Sequence, residues 1–352
     1  MRTAILHVGF AKTASTSIQH TLADNMPLLE KHGFRFSFML ASGQWMSNHS
    51  LVFANAFSPR AHEHHVNVLR GVDVAGERDV ARAEIERMLD GPLTPVFSAE
   101  ELPFSGAENM GRVAAFLAER GFRPRVIALV RPPVSYFGSM AQQFVKSGFD
   151  MAVPYPRSPA VLGRACEAAF GTVEFHAFPR AVAHPLGPVG YFLDLLDPAL
   201  APRAEIARNN EAISDQAARL CAHVNRCLPM IVDGRANPLR RTGDIARLLT
   251  IPGDRFHLRR SELQLPRVRE EAAWMEAACG PGFAEDLDAL DNEPTFWSEE
   301  QVRLVADALP ELSPTMRGVV LAYMTFAARF RDGTRRDLLA ILRSLQADGT
   351  LL

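Results

Sequence analysis

What most constrains this chain is the way its first apolar run ends. Ile5-Leu6-His7-Val8 stops at Gly9, and the chain reopens through Phe10-Ala11-Lys12 as the hydroxyl-rich segment Thr13-Ala14-Ser15-Thr16-Ser17-Ile18-Gln19 with helical spacing. The order is strand, loop, helix. Such a loop turns several backbone N–H groups, and the positive end of a helix, toward one point where an anionic oxygen can sit. Lys12 adds a full charge there and the hydroxyls add donors, so a phosphate or sulfate can be held without a metal ion. A run of hydroxyls is also what a helix cap looks like, and the residues alone leave both readings open. Alanine at position 14 predicts an ordinary helical φ, because a left-handed one would strain it.

Two later strands end in chemistry as well. Thr94-Pro95-Val96-Phe97-Ser98 runs into Ala99-Glu100-Glu101, and Arg125-Val126-Ile127-Ala128-Leu129-Val130 runs into Arg131-Pro132-Pro133, with Ser139 eight residues beyond Arg131. In open parallel sheets ligands bind outside the C-terminal strand ends. Adjacent strand residues face opposite sides, so at most one of Glu100 and Glu101 meets a site directly; solvated acids at a helix start are the other reading. Helices are predicted over Ser15–His32, over Glu77–Leu89 with Val80, Ile85, Met88 and Leu89 inward, over Gly106–Arg120 and over Ala217–Leu228. Further strands are predicted over Phe34–Phe38 and Gly171–Phe178. His49 either lines a cleft or caps local structure.

These motifs resemble those of the sulfotransferases that use 3′-phosphoadenosine 5′-phosphosulfate (PAPS). Their 5′-phosphosulfate loop commonly reads Pro-Lys-Thr-Gly-Thr-Thr-Ser, against which Ala11 and Ala14 depart; a P-loop nucleotide hydrolase instead places its lysine at the end of the loop. Arg131 and Ser139 are similar to the family's 3′-phosphate motif, with Pro132 where aspartate is usual. Ser98-Ala99-Glu100 is similar to the Ser-x-Glu of carbohydrate sulfotransferases, in which the glutamate is the base. Asn210 and Ser214 match an Asn-x-Ser-Leu-Ser segment that Ala212 breaks, and helix capping explains Ser214 equally well.

The resemblance implies a three-layer α/β fold with a central, mainly parallel sheet and a P-loop-like phosphosulfate loop. It places Gly9, Lys12, Thr13, Ala14, Ser15, Thr16, Ser17, Arg131, Ser139, Asn210 and Ser214 around PAPS, with Lys12 and Glu100 catalytic. The acceptor would be a hydroxylated carbohydrate or glycolipid, with His49 and Glu101 as candidates to meet it. A sulfuryl group carries less charge than a phosphoryl group, so no magnesium clamp of the kinase kind is called for. A P-loop kinase, or a non-catalytic nucleotide-binding protein on the same scaffold, is the alternative.

Composition narrows the field. With 352 residues and 47% apolar content the chain can bury a sizeable core, and its net charge of −2 argues against a nucleic-acid surface. Four cysteines without a Cys-x-x-Cys pair indicate neither a zinc site nor a disulfide framework. His62, His64 and His65 lack the spacing of a helix-borne metal pair. No leader and no apolar run of membrane-spanning length stand out, so a cytoplasmic protein is expected. Residues 1–230 are expected to form the donor-binding core, and 231–352 a helical extension that packs on it or forms an oligomer surface.

Overall fold

The apolar runs pair side by side. In the computed structural model, described for residues 1–10, 12–151, 158–207, 212–232, 235–283, 285–330 and 340, seven strands precede residue 180. They are β1 (Arg2–Val8), β2 (Phe34–Arg35), the hairpin β3 (Met39–Ala41) and β4 (Gln44–Met46), β5 (Thr94–Ala99), β6 (Phe122–Val130) and β7 (Val173–Ala177). Five of them form one parallel sheet in the order β2-β5-β1-β6-β7. Parallel neighbours need long crossovers, and helices supply them. Helices α1 (Ser15–Asp24) and α2 (Met26–Lys31) follow β1; α3 (Ser50–Phe57), α4 (His65–Arg70) and α5 (Val74–Leu89) precede β5; α6 (Ala107–Glu119) joins β5 to β6. After β6 come α7 (Pro133–Lys146) and α8 (Pro159–Phe170), and after β7 come α9 (Phe178–Val182) and α10 (Gly187–Leu196).

The sheet is covered on both faces, as a parallel sheet requires. Because side chains alternate along a strand, β1 sends Ala4, Leu6 and Val8 into one core, shared with α3, α5, α6 and α8, and Ile5 into the other, shared with α1 and α10. The helix after β1 therefore lies on one face, and the helix after the neighbouring β5 on the opposite face. Connections that diverge from adjacent strands open a crevice outside their C-terminal ends. Gly9 and Glu100 follow those two ends.

Local departures from expectation have local causes. The helix foreseen over Ser15–His32 breaks at Asn25, whose side-chain amide donates to the carbonyls of Thr21 and Glu205, both at 2.8 Å. Pro27 follows and supplies no N–H. Only Phe34–Arg35 of the strand foreseen through Phe38 pairs with β5. In α5 the inward row is Ala81, Ile85, Met88 and Leu89, and Val80 faces out.

The chain divides into two compact units that interleave in sequence. The first holds Met1–Pro133, Tyr155–Asn209 and Arg267–Asp286; the second holds Val134–Pro154, Asn210–Pro266 and Leu287–Leu352. In the second, α11 (Asp215–Cys227) is tied to α7 by the Asn225 amide, which donates to Val145 O at 3.0 Å, and its buried Arg219 reaches Asp215 at 2.9 Å and Glu262 at 2.7 Å. Next in chain order are α12 (Thr242–Leu249) and α13 (Leu265–Cys279). Most of α13 belongs to the first unit, where Trp274 lies 6.4 Å from the Phe10 ring in a stacked pair and 5.2 Å from Phe175 edge-on. Gly163 on α8 is glycine because a Cβ there would sit 2.0 Å from the Trp274 ring. The residue after Gly9 is thus wedged in place by a segment more than 250 positions downstream. Among the described residues no helix is long and apolar enough to cross a membrane.

Candidate functional site

At the end of β1 the chain passes so close to the end of β5 that only glycine fits. A Cβ on Gly9 would lie 2.8 Å from Glu100 Cα, 2.7 Å from Glu100 Cγ and 2.7 Å from Ser15 Oγ. The loop then takes an unusual path. Lys12 has φ 69° and Ala14 φ 65°, ψ 20°, both left-handed, while Thr13 between them keeps a negative φ. The helical φ expected of Ala14 is therefore wrong: the turn into α1 imposes the left-handed form on alanine, at about 1–2 kcal/mol per residue so placed. Alternation of φ sign along successive residues turns their N–H groups to one side.

The simple capping reading fails as well. Ala14 is the N-cap of α1 and offers no side-chain cap, and no acid stands in the first turn. Thr13 Oγ1 donates to Phe10 O at 2.6 Å and braces the loop. Ser15 Oγ is buried with no hydrogen-bond partner among the described residues. Thr16 is exposed and Ser17 buried. Amides of a helix's first turn have no intrahelical acceptor, so this end of α1 presents donors and an orphaned hydroxyl together.

Glu100 and Lys12 meet there. Burial raises the Glu100 pKa, and the neighbouring Glu101 charge raises it further; the Lys12 charge, and the Lys12 backbone N–H that donates to the carboxylate, pull the other way. Arg131, at the end of β6, donates from Nη1 to Lys12 O at 3.0 Å, with its guanidinium 5.3 Å above the Phe178 ring. Gly9, Lys12, Ser15, Glu100 and Arg131 are thereby brought to one edge of the sheet.

Beneath the loop, Ser98 on β5 is a hub. Its backbone N–H donates to His49 Nδ1 at 3.2 Å and its carbonyl accepts from His49 N–H at 2.8 Å. Its Oγ accepts from Gln19 Nε2 at 3.2 Å and shares a hydrogen bond with His7 Nδ1 at 2.9 Å. His49 Nε2 donates to Ser37 O at 3.0 Å, so both its ring nitrogens are engaged with backbone and the residue is fully buried. His49 therefore holds β5 in place and does not face an open cleft. Burial lowers both His7 and His49 to about 4, which keeps them neutral. His7 and Gln19 escaped the sequence reading, although a histidine inside an apolar strand and a glutamine on the inward row of α1 were both visible. Glu101 is exposed; its N–H donates to Ser50 Oγ at 2.9 Å, and its carboxylate accepts from His64 Nε2 at 3.1 Å.

Ser139 is half-buried on α7 and belongs to the second unit. Ser214, also there, caps α11 by accepting from Ala217 N at 3.1 Å and donates to Ile251 O at 2.6 Å. Asn210 lies outside the described residues. His64 caps α4 through Nδ1. No family model, no curated protein and no solved structure matches the chain.

Two outcomes are expected. Ala14→Gly, which removes the left-handed penalty, is expected to leave unfolding free energy unchanged or raise it by up to about 1 kcal/mol in urea titrations, and Ala14→Val to lower it by more than about 1 kcal/mol; a larger loss for glycine than for valine would contradict the loop geometry. The unfolded chain binds protons on His7 and His49 near pH 6.5, but the folded chain only near pH 4. Stability should therefore be complete above pH 6.5 and fall as pH drops toward 4, by about 2 kcal/mol per histidine at pH 5. In His49→Gln this loss between pH 7.5 and 5 should shrink by roughly half of the two-histidine term; an unchanged slope would contradict the burial of a neutral ring.

Proposed function

We propose that the chain is a PAPS-dependent sulfotransferase acting on a hydroxyl of a carbohydrate or glycolipid. What supports the reading is one convergence: a lysine, uncapped helix-start amides and an orphaned buried hydroxyl gather beside a carboxylate of raised proton affinity, at the crevice where the sheet's crossovers diverge. In this reading residues 9–17 are the phosphosulfate loop of a P-loop-like fold, and the helices beyond residue 230 are an extension of the core.

The residues present suit such a donor. Gly9 leaves no side chain between the loop and Glu100, and among the described residues Ser15 Oγ lacks an acceptor, which a phosphate oxygen would provide. The donor supplies an SO₃ group that passes from the bridging oxygen of its 5′-phosphate to the acceptor oxygen, leaving 3′-phosphoadenosine 5′-phosphate. Lys12 and the loop amides are aimed at negative charge, a form of stabilisation that needs no reorganisation during reaction. Thr13 contributes shape, since its hydroxyl proton is committed to Phe10 O. Arg131 is assigned to the nucleotide's 3′-phosphate, and its bond to Lys12 O couples that contact to the loop. Ser139, Asn210 and Ser214 keep their assignment on sequence resemblance alone.

Glu100 takes the acceptor's proton, a role worth about 10²–10⁴-fold in rate. Its environment matches that role: burial and Glu101 strengthen its hold on a proton, while Lys12 keeps the ionised form accessible. Glu101, tethered by His64 and Ser50, tunes its neighbour electrostatically.

The test is transfer of label from [³⁵S]PAPS to a carbohydrate panel. Glu100→Gln should lose about 10²–10⁴-fold in turnover while still binding 3′-phosphoadenosine 5′-phosphate. Glu101→Gln should stay within about tenfold of the parent, with the acid limb of its pH–rate profile moved to lower pH because a neighbouring negative charge has gone. An inactive Glu101→Gln beside an active Glu100→Gln would overturn the assignment.

A further inference from the structure

Away from the loop, on the face of the sheet that carries α3, α5 and α6, a cleft of about 370 Å³ opens over the C-terminal end of α3. Arg78 and Arg82 from α5 and Arg112 from α6 line it, Phe57 and Phe116 form its floor, and Glu119 stands at its wall. Part of this arrangement is ordinary helix capping. Arg112 Nη1 donates to Phe57 O at 3.1 Å and Arg78 Nη2 to Ser58 O at 3.3 Å, which answers carbonyls that the end of α3 leaves unpaired.

Capping does not account for the rest. Arg112 is matched by Glu108 at 2.6 Å, and Glu119 lies 3.7 Å from Arg120. Among the described residues neither Arg78 nor Arg82 forms an ion pair. Arg78 Nε is buried with no hydrogen-bond partner there, and the Arg82 guanidinium lies over the Phe57 ring, 6.0 Å from its centroid. Like charges four residues apart on one helix face repel, and a buried N–H without an acceptor is costly. The repulsion disappears if an oxyanion bridges the two guanidinium groups, whose planar donor arrays suit tetrahedral oxyanions. The apolar floor suits an organic substituent, and the volume lies at the small end of the range for ligand sites.

We propose that this cleft is a second anion site, separate from the loop, that takes a sulfate or phosphate monoester with its oxyanion between Arg78 and Arg82 and its organic part on Phe57 and Phe116. The proposal goes beyond the sulfotransferase reading and does not depend on it. Isothermal titration of phenyl sulfate and of inorganic sulfate into the full chain tests it, in parallel with Lys12→Ala. One saturable phenyl sulfate site is expected that survives Lys12→Ala within twofold, weakens at least tenfold in Arg78→Gln and in Arg82→Gln, and takes inorganic sulfate several-fold more weakly. Arg82→Glu, at an exposed position, should abolish binding with the melting temperature retained. Absence of a saturable site, binding unchanged in the Arg78→Gln/Arg82→Gln double variant, or binding lost with Lys12 alone would overturn the site. Inorganic sulfate bound as tightly as the ester would overturn the monoester assignment.

Discussion

The contact between Gly9 and Glu100 governs the rest of the site. Two adjacent parallel strands end within van der Waals reach of one another, because the position after β1 carries no side chain. That approach fixes how close the loop can come to the β5 carboxylate, and so lets the Lys12 N–H reach it. Any substituent at position 9 would push Glu100 and Ser15 away together. The site therefore exists only while both strand ends hold their positions.

Much of the surrounding structure can be understood as holding them. The Ser98 hub pins β5 through His49 on one side and through His7 and Gln19 on the other, all buried and neutral, so the carboxylate two residues on sits at a rigid strand end. Trp274 stacks on Phe10 and holds the start of the loop from the opposite core. Against that support the loop can keep two non-glycine residues in left-handed conformation, a strain that would otherwise relax into a longer, capped helix start. Strain of this kind persists where surrounding packing over-determines the backbone, and here it keeps donor groups turned toward one point.

The sequence revealed the elements that depend on local periodicity. β1, β5, β6 and the helices over Ala107–Glu119 and Asp215–Cys227 lie within a few residues of where apolar spacing put them. The meeting of Gly9, Lys12, Glu100 and Arg131 at one sheet edge agrees with the motif order, since each follows a strand of the same parallel sheet. The positive φ of Ala14 was hidden because alanine carries no signal for it; the conformation is imposed by the turn and by packing. His49 was ambiguous for a similar reason, as its partners Ser37 and Ser98 become neighbours only through the fold. The return of residues 267–286 to the first unit has no local signature at all, because what draws Trp274 there is a pocket made by Phe10, Gly163 and Phe175.

If the loop is built for an adenylyl phosphosulfate, its affinity should separate nucleotides by their phosphates. Calorimetric titration of 3′-phosphoadenosine 5′-phosphate, set against ADP with magnesium, measures this directly. The account predicts a saturable site for the former, lost in Lys12→Ala at unchanged melting temperature, with little or no heat from the latter. Equal binding of both nucleotides, or full affinity without the lysine, would contradict it.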